Sequence, residues 1–463
     1  MSPDTAGGPA PEVAFDTDTP AVVLKLDRNV FHHGGLGVIR SLGRAGIDVY
    51  GVHEDPLAPA AWSRYLRGRW YWKPDPGYPD RIVAGLLQLA ERIGRPAVLI
   101  PTDDAGAILL NEHAAALRPW FRFAESPPGL PRQLAAKYSL YELCAQWNAP
   151  RVATTLPASV AEAEQFAWSV GFPLVAKLAR PWQARRRHTP ASTTIVQSGQ
   201  ELGELYRRAL AGGLMLQEYI PASPGQDWYF HGYCNATSEC EPAFTGVKER
   251  SYPPHSGLTS FGRAVPNPQL HQQVTDLLTS IGYRGIMDLD LRFDPRDGQY
   301  KLLDFNPRIG AQFRVFQTAD GIDVARAAHL DLTGRPIPPG GAAAERRFLV
   351  ENYDTLAALG YLHRGELTVR SWLGTLRGVD ETAWFARDDL TPFGLMCLRM
   401  AWRVVERPFG QRKAPGATEP RFRARGRGRR REPSTAPAKE IRTAMPPGQA
   451  NKPIEPMKEE TSS

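Results

Sequence analysis

The chain has 463 residues, 42% hydrophobic and 10% aromatic, which is enough for more than one hydrophobic core. Its formal charge of +7 invites a nucleic-acid or membrane-surface reading. Residues 411–463 alone hold 13 Lys/Arg against 6 Asp/Glu, however, so the excess belongs to the tail and the body is neutral.

Residues 1–20 are expected to be disordered. From Ala21 the chain reads as a strand (AVVLKL), a Gly-rich turn (HHGGLG), an amphipathic helix (VIRSLGRAG) and a second strand (IDVYGV). This β–turn–α–β unit implies a parallel sheet in an α/β domain. A helix at 80–94 and the strand PAVLIP extend it, and Thr102, Asp103 and Asp104 follow at a strand's carboxyl end, where open α/β sheets place ligands. A helix through 105–117 and the strand WFRFA close this domain near Glu125. SPPGLP reads as a linker, followed by a helix carrying Lys137 and the apolar strand FPLVAKL with Lys177 inside it. A basic loop contains Arg185, Arg186 and Arg187. After it come the strand TTIV, a helix at 200–211 and the strand LMLQEYI, which opens a section running to about Pro338. Residues 345–410 are Trp-rich and helical in pattern. The segment FGLMCLRMAWRVVERPF (393–409) suits either a surface-anchoring helix or, more commonly, a helix packed on its own domain. The remaining tail, RFRARGRGRRR and Pro-rich polar sequence, has too few large apolar residues to order itself.

No run of about 18 apolar residues appears, so no membrane-spanning helix is expected. The acidic start lacks the order of a secretory signal. Cys144, Cys234, Cys240 and Cys397 form no CxxC pair, so reduced thiols in a cytoplasmic protein are expected rather than a zinc site or disulfide framework.

The chemistry concentrates in GIMDLDLRFDPRDGQYKLLDFNPRIG (285–310). Alternation sends Asp288, Asp290 and Arg292 to one strand face and Leu289, Leu291 and Phe293 to the other. DPRDG supplies turn residues, and the returning strand puts Asp304, Asn306 and Arg308 on one face, with Leu303 and Phe305 opposite. Carboxylates with an Asn suit a hard cation shared with phosphates, and arginines beside them suit phosphate or carboxylate oxygens. The competing reading is a solvated face laced with ion pairs, but such a face has no need of the Asn and Pro in Asp304-Phe-Asn306-Pro-Arg308.

This D-F-N-P-R resembles the E-x-N-P-R metal-binding signature of the ATP-grasp superfamily, with Asp in place of Glu, and the order of the other motifs in residues 21–340 is similar. The resemblance implies a Rossmann-like domain at 21–125, an ATP-grasp domain at 126–340, an accessory region at 341–410 and a disordered basic tail at 411–463. It further implies an ATP- and Mg²⁺-dependent (or Mn²⁺-dependent) carboxylate–amine ligase forming a C–N bond through an acyl-phosphate. Lys137 and Lys177 resemble the nucleotide-contacting lysines. Gln217, Glu218, Tyr219 and Ile220 resemble the hinge strand at adenine, and Asp227 the residue at the ribose. Asp290, Asp304 and Asn306 match the metal set, with Asp288 beside them. Arg308 matches the arginine that orients the acyl group. Arg292 and Arg314 are further candidates for a substrate carboxylate, and Lys248 and Arg250 for phosphate.

Read alone, Lys137 is an ordinary helix lysine, LQEYI a plain core strand, and Lys248 with Arg250 a solvated turn. The arginine loop contains no glycine, so its side chains would have to replace the usual backbone cradle or reach an acidic substrate. His255, Thr102, Asp103 and Asp104 are candidate pocket groups for the carboxylate and amine substrates, and a homodimer fits the resemblance. Two other classes stay open. HHGGLG followed by Glu54 and Asp55 hints at an NAD(P)-dependent oxidoreductase, although Gly34, Gly35 and Gly37 do not give G-x-G-x-x-G. The Arg/Gly tail suits contact with RNA or another acidic surface.

Overall fold

Strands buried on both faces of a parallel sheet read as unbroken apolar runs, and AVVL and AVLI are such runs, almost wholly inaccessible to solvent. The computed structural model describes residues 13–179, 193–208, 214–221, 225–255, 257–341, 345–406 and 421–424. The first layer comprises β1 (Ala21–Leu24), α1 (Gly34–Arg44), β2 (Val49–His53), β3 (Leu66–Tyr71), α2 (Pro79–Ile93), β4 (Ala97–Pro101), α3 (Asp104–Glu112), α4 (Ala114–Leu117) and β5 (Phe121–Arg122). Its strands run parallel in the order β3-β2-β1-β4-β5.

Next come α5 (Leu130–Ala135), α6 (Lys137–Gln146), β6 (Thr154–Thr155), α7 (Val160–Val170), β7 (Leu174–Leu178), β8 (Thr193–Val196), α8 (Gly199–Arg208) and β9 (Leu214–Glu218). They form a small antiparallel sheet in the order β6-β9-β7-β8, with a core of Ala163, Ala167, Leu174, Ala176 and Leu216. The largest sheet uses β10 (Asp227–Cys234), β11 (Cys240–Tyr252), β12 (Leu258–Ala264), β13 (Gly285–Asp294), β14 (Gln299–Asn306), β15 (Arg347–Leu349) and β16 (Glu381–Thr382). Its order is β14-β13-β10-β11-β12-β15-β16. Around it lie α9 (Pro268–Ser280), α10 (Val324–Leu332), α11 (Glu351–His363), α12 (Val369–Thr375) and α13 (Thr391–Glu406).

Four expectations are corrected. Residues 13–20 are held rather than disordered: Val13 and Phe15 pack on the main core, and the Thr19 carbonyl lies 3.0 Å from His329 Nε2. Within the stretch read as a disordered tail, β17 (Arg421–Ala424) pairs antiparallel with the open edge of β3, whose unpaired backbone groups offer a template. Cys234 and Cys240 are joined in a disulfide, because the β10–β11 register sets them directly opposite; a spacing of six residues does not reveal that. Lastly, a bulge follows the Asp290–Asp304 pair, so Leu291 faces Leu302. Leu302 and Phe305, rather than Leu303 and Phe305, therefore enter the core under the hairpin. Arg185, Arg186, Arg187 and the rest of the tail lie outside the described residues.

Among the described residues no helix is long and apolar enough to cross a membrane.

Candidate functional site

The hairpin β13–β14 sets Asp290 opposite Asp304 and Asp288 opposite Asn306. Lysines from three other elements converge on this face. Lys137 opens α6 and pairs with Asp304. A cation in a helix's first turn opposes the helix dipole, and the carboxylate compensates. The Lys137 backbone N–H donates to the Ala179 carbonyl at 3.1 Å, tying the start of α6 to the end of β7. From β7, Lys177 Nζ donates to the Leu303 carbonyl at 3.3 Å, the residue that the bulge turns outward. Burial pushes the Lys177 ammonium down to about 8, although Asp304 opposes the fall. Lys248, on β11, donates to Asp290 Oδ1 at 3.0 Å. Burial works against both charges of that pair. Their mutual attraction prevails, holding Asp290 below and Lys248 above their ordinary values.

Beside these pairs, Arg308 Nη1 donates to Asp288 Oδ2 at 2.7 Å, and its Nε lies 3.4 Å from Asp104. Burial disfavours the Arg308 charge, but Asp104 and Asp288 outweigh it and the guanidinium stays ionised. Beneath Asp288 sits His231, fully buried, with Nε2 3.1 Å from Asp288 Oδ1; burial lowers its pKa. A Cβ at Gly310 would collide with His231 and Asp288, so only glycine lets the chain turn away from the hairpin there.

Other candidates are engaged in framing this face. Arg292 Nε donates to Asp227 at 2.6 Å and its Nη1 to the Ile220 carbonyl at 2.8 Å, clasping β13 to the hinge. Gln217 donates to the Thr154 hydroxyl at 3.2 Å, and Glu218 pairs with Arg296 at 2.6 Å. Tyr219 lies between Glu218 and the buried Ile220. Three candidates lie apart from the cluster. A bulge after Lys248 separates it from Arg250, whose Nε and Nη2 donate to the two Asp354 carboxylate oxygens at 2.8 and 3.0 Å. Arg314 donates to the Thr382 and Ala383 carbonyls, and His255 pairs with Glu366 at 2.7 Å.

The dinucleotide reading loses its parts. Glu54 is buried against Lys25 at 2.8 Å. A Cβ on Gly37 would come within 2.8 Å of Phe313, so that glycine serves close packing rather than a pyrophosphate.

No protein-family model matches the chain. In sequence it is 23% identical over 329 residues to a D-aspartate ligase of Enterococcus faecium, covering 66% of this chain and 74% of that protein. In structure it is similar to the biotin carboxylase domain of Hydrogenobacter thermophilus 2-oxoglutarate carboxylase, solved with MgADP, ADP and bicarbonate. The TM-score is 0.52 at 16% identity, over 70% of this chain and 71% of the other. Carboxyaminoimidazole ribonucleotide synthase of Aspergillus clavatus, solved with ATP, gives 0.51 at 14% identity over 70% and 79%. The chain shares the ATP-grasp fold of these structures.

The oxygen donors on this face suit Mg²⁺. Asp290, Asp304 and Asn306 offer hard oxygen atoms, and Asn306 commits its amide nitrogen to the Asp288 carbonyl at 3.1 Å, which leaves its oxygen as the atom a cation could use. Among the described residues no three His, Cys, Asp or Glu side chains converge to hold a metal by themselves. Sequence reasoning missed His231, whose relation to Asp288 depends on a cross-strand register, and Thr154, which anchors Gln217. Neither carries a local signal.

Proposed function

We propose that this chain is an ATP- and Mg²⁺-dependent ligase that joins a carboxylate to an amine through an acyl-phosphate, releasing ADP and phosphate. One observation carries the reading: two carboxylates and an Asn on the β13–β14 face meet Lys137, Lys177 and Lys248 from three separate elements, with Arg308 alongside. Asp290, Asp304 and the Asn306 oxygen would hold Mg²⁺, which supplies charge neutralisation of the phosphates. Lys137, Lys177 and Lys248 are the cations for the phosphate oxygens, and residues 217–220 with Asp227 are the edge for adenine and ribose. Arg292 keeps that edge in place.

In the first step a substrate carboxylate oxygen bonds to the γ-phosphorus, and the bond to the bridging oxygen breaks with its electron pair leaving on ADP. Arg308 orients the carboxylate and then the acyl-phosphate. An amine then forms the C–N bond as phosphate departs. Catalysis here is positioning and charge stabilisation, with no protein nucleophile. The similarity to a D-aspartate ligase makes D-aspartate the first carboxylate to test. Incubation with Mg·ATP, D-aspartate and a panel of amines should release ADP together with an amide. Release of AMP and pyrophosphate would refute the acyl-phosphate route.

A further inference from the structure

The helix α13 has two unlike faces. Phe393, Met396 and Met400 turn inward onto the main core. Arg399 Nη1 donates to Asp55 Oδ1 at 2.8 Å, and the Arg403 guanidinium lies 4.3 Å from the centre of the Phe31 ring. On the opposite side, three to four residues apart, stand Gly394, Cys397, Leu398, Ala401 and Trp402, all exposed. Leu398 is 67% and Trp402 63% exposed. A helix packed by one face on its own domain ordinarily turns a charged face to water. Here the two arginines reach back to the body, and the stripe left outside holds no charged side chain.

Charge decides what covers this stripe. α13 packs against the turn Pro59–Trp62, and that turn against β3. Arg69 of β3 lies over the Trp62 ring at 5.0 Å. β17 pairs with β3 and sets Arg423 opposite Arg69, so the chain beyond α13 is brought back to a strand that meets the same turn. From Arg421 to Arg431 the sequence holds 7 Arg and no Asp or Glu. An apolar stripe joined to concentrated arginine fits the boundary of an anionic bilayer. Acyl chains take up leucine there, the interface takes tryptophan, and phosphate headgroups attract arginine. RNA would engage the arginines and leave Leu398 and Trp402 in water. We propose that the outward face of α13, with the arginine-rich segment that follows, docks this chain peripherally on an anionic phospholipid surface. This inference does not depend on the ligase reading.

The test uses the full-length chain with vesicles of phosphatidylcholine, alone or mixed equally with phosphatidylglycerol, at about 0.1 M salt. Of the four cysteines, Cys397 is the exposed free thiol and lies on the stripe. An environment-sensitive fluorophore attached there reads insertion with the rest of the chain unaltered. Flotation should show binding to the mixed vesicles at least about tenfold tighter than to phosphatidylcholine, and the label's emission should shift to the blue only with the mixed vesicles. Leu398→Ser combined with Trp402→Ser should weaken binding at least about tenfold. So should Arg427→Gln, Arg429→Gln, Arg430→Gln and Arg431→Gln together. Flotation without a blue shift would show that the arginines act alone and would overturn the role of α13. Equal binding to both kinds of vesicle would overturn the charge argument. A wild type that does not float would overturn the proposal, whether it instead retains single-stranded RNA or forms a dimer that the Leu398 and Trp402 changes dissolve.

Discussion

Lys177 shows how one residue's surroundings set its chemistry. A lysine inside an apolar strand loses hydration, and burial brings its ammonium to about 8, with Asp304 opposing and Lys137 adding to the fall. Below that value the side chain is charged and attracts phosphate; above it the attraction fades. ATP affinity of the Mg²⁺-free protein should therefore fall as pH rises through about 8, by about tenfold at one unit above it. Calorimetric titration across that range checks this, and Lys177→Arg, which stays charged, should flatten the profile. A profile equally steep in the arginine variant would assign the pH dependence elsewhere. Asp290 and Asp304 present a second case. Each is paired with a lysine in the protein alone, and each is proposed to hold Mg²⁺ for turnover. Asp304→Asn should lower the rate of ADP release by about a thousandfold while the circular dichroism spectrum stays that of wild type.

At the scale of elements, the hairpin was legible because its alternation is strict: Asp288, Asp290 and Arg292 do alternate with Leu289 and Leu291, and Asp304 and Asn306 fall opposite Asp290 and Asp288. What period-two counting could not supply was the bulge, since an extra residue in one strand is defined only against its partner. Leu303 was read as core for that reason, and its outward carbonyl turns out to receive Lys177. The same limit explains the disulfide between Cys234 and Cys240 and the parting of Lys248 from Arg250. Arg314 and His255, candidates by residue type alone, are drawn off to Thr382 and Ala383 and to Glu366. The turn after β14 offers a direct check. Gly310→Ala would press a methyl group into His231 and Asp288; overpacking of this kind costs about 1–3 kcal/mol. The variant should lose activity beyond its loss of stability, because Asp288 carries Arg308. Activity retained in proportion to the folded fraction would contradict that coupling.

Across the whole molecule, the neutral body was readable from charge partition, and the order of strands and helices from apolar periodicity. Contacts that join distant segments were not readable. Arg40 of α1 is wholly buried and bonds to Asp389 at 3.0 Å and to the Trp384 carbonyl at 2.8 Å, some 340 residues along the chain. Removing one partner of a buried ion pair typically costs about 3–5 kcal/mol. Arg40→Ala should thus lower the urea midpoint of the first unfolding transition, and an unchanged midpoint would show that the C-terminal region contributes little to holding the first sheet. The phosphoryl transfer proposed at the hairpin leaves an isotopic record in the phosphate released. With a substrate carboxylate labelled with heavy oxygen, the acyl-phosphate route predicts that each inorganic phosphate released carries one labelled atom and appears together with ADP. Unlabelled phosphate, or label recovered in AMP, would contradict it.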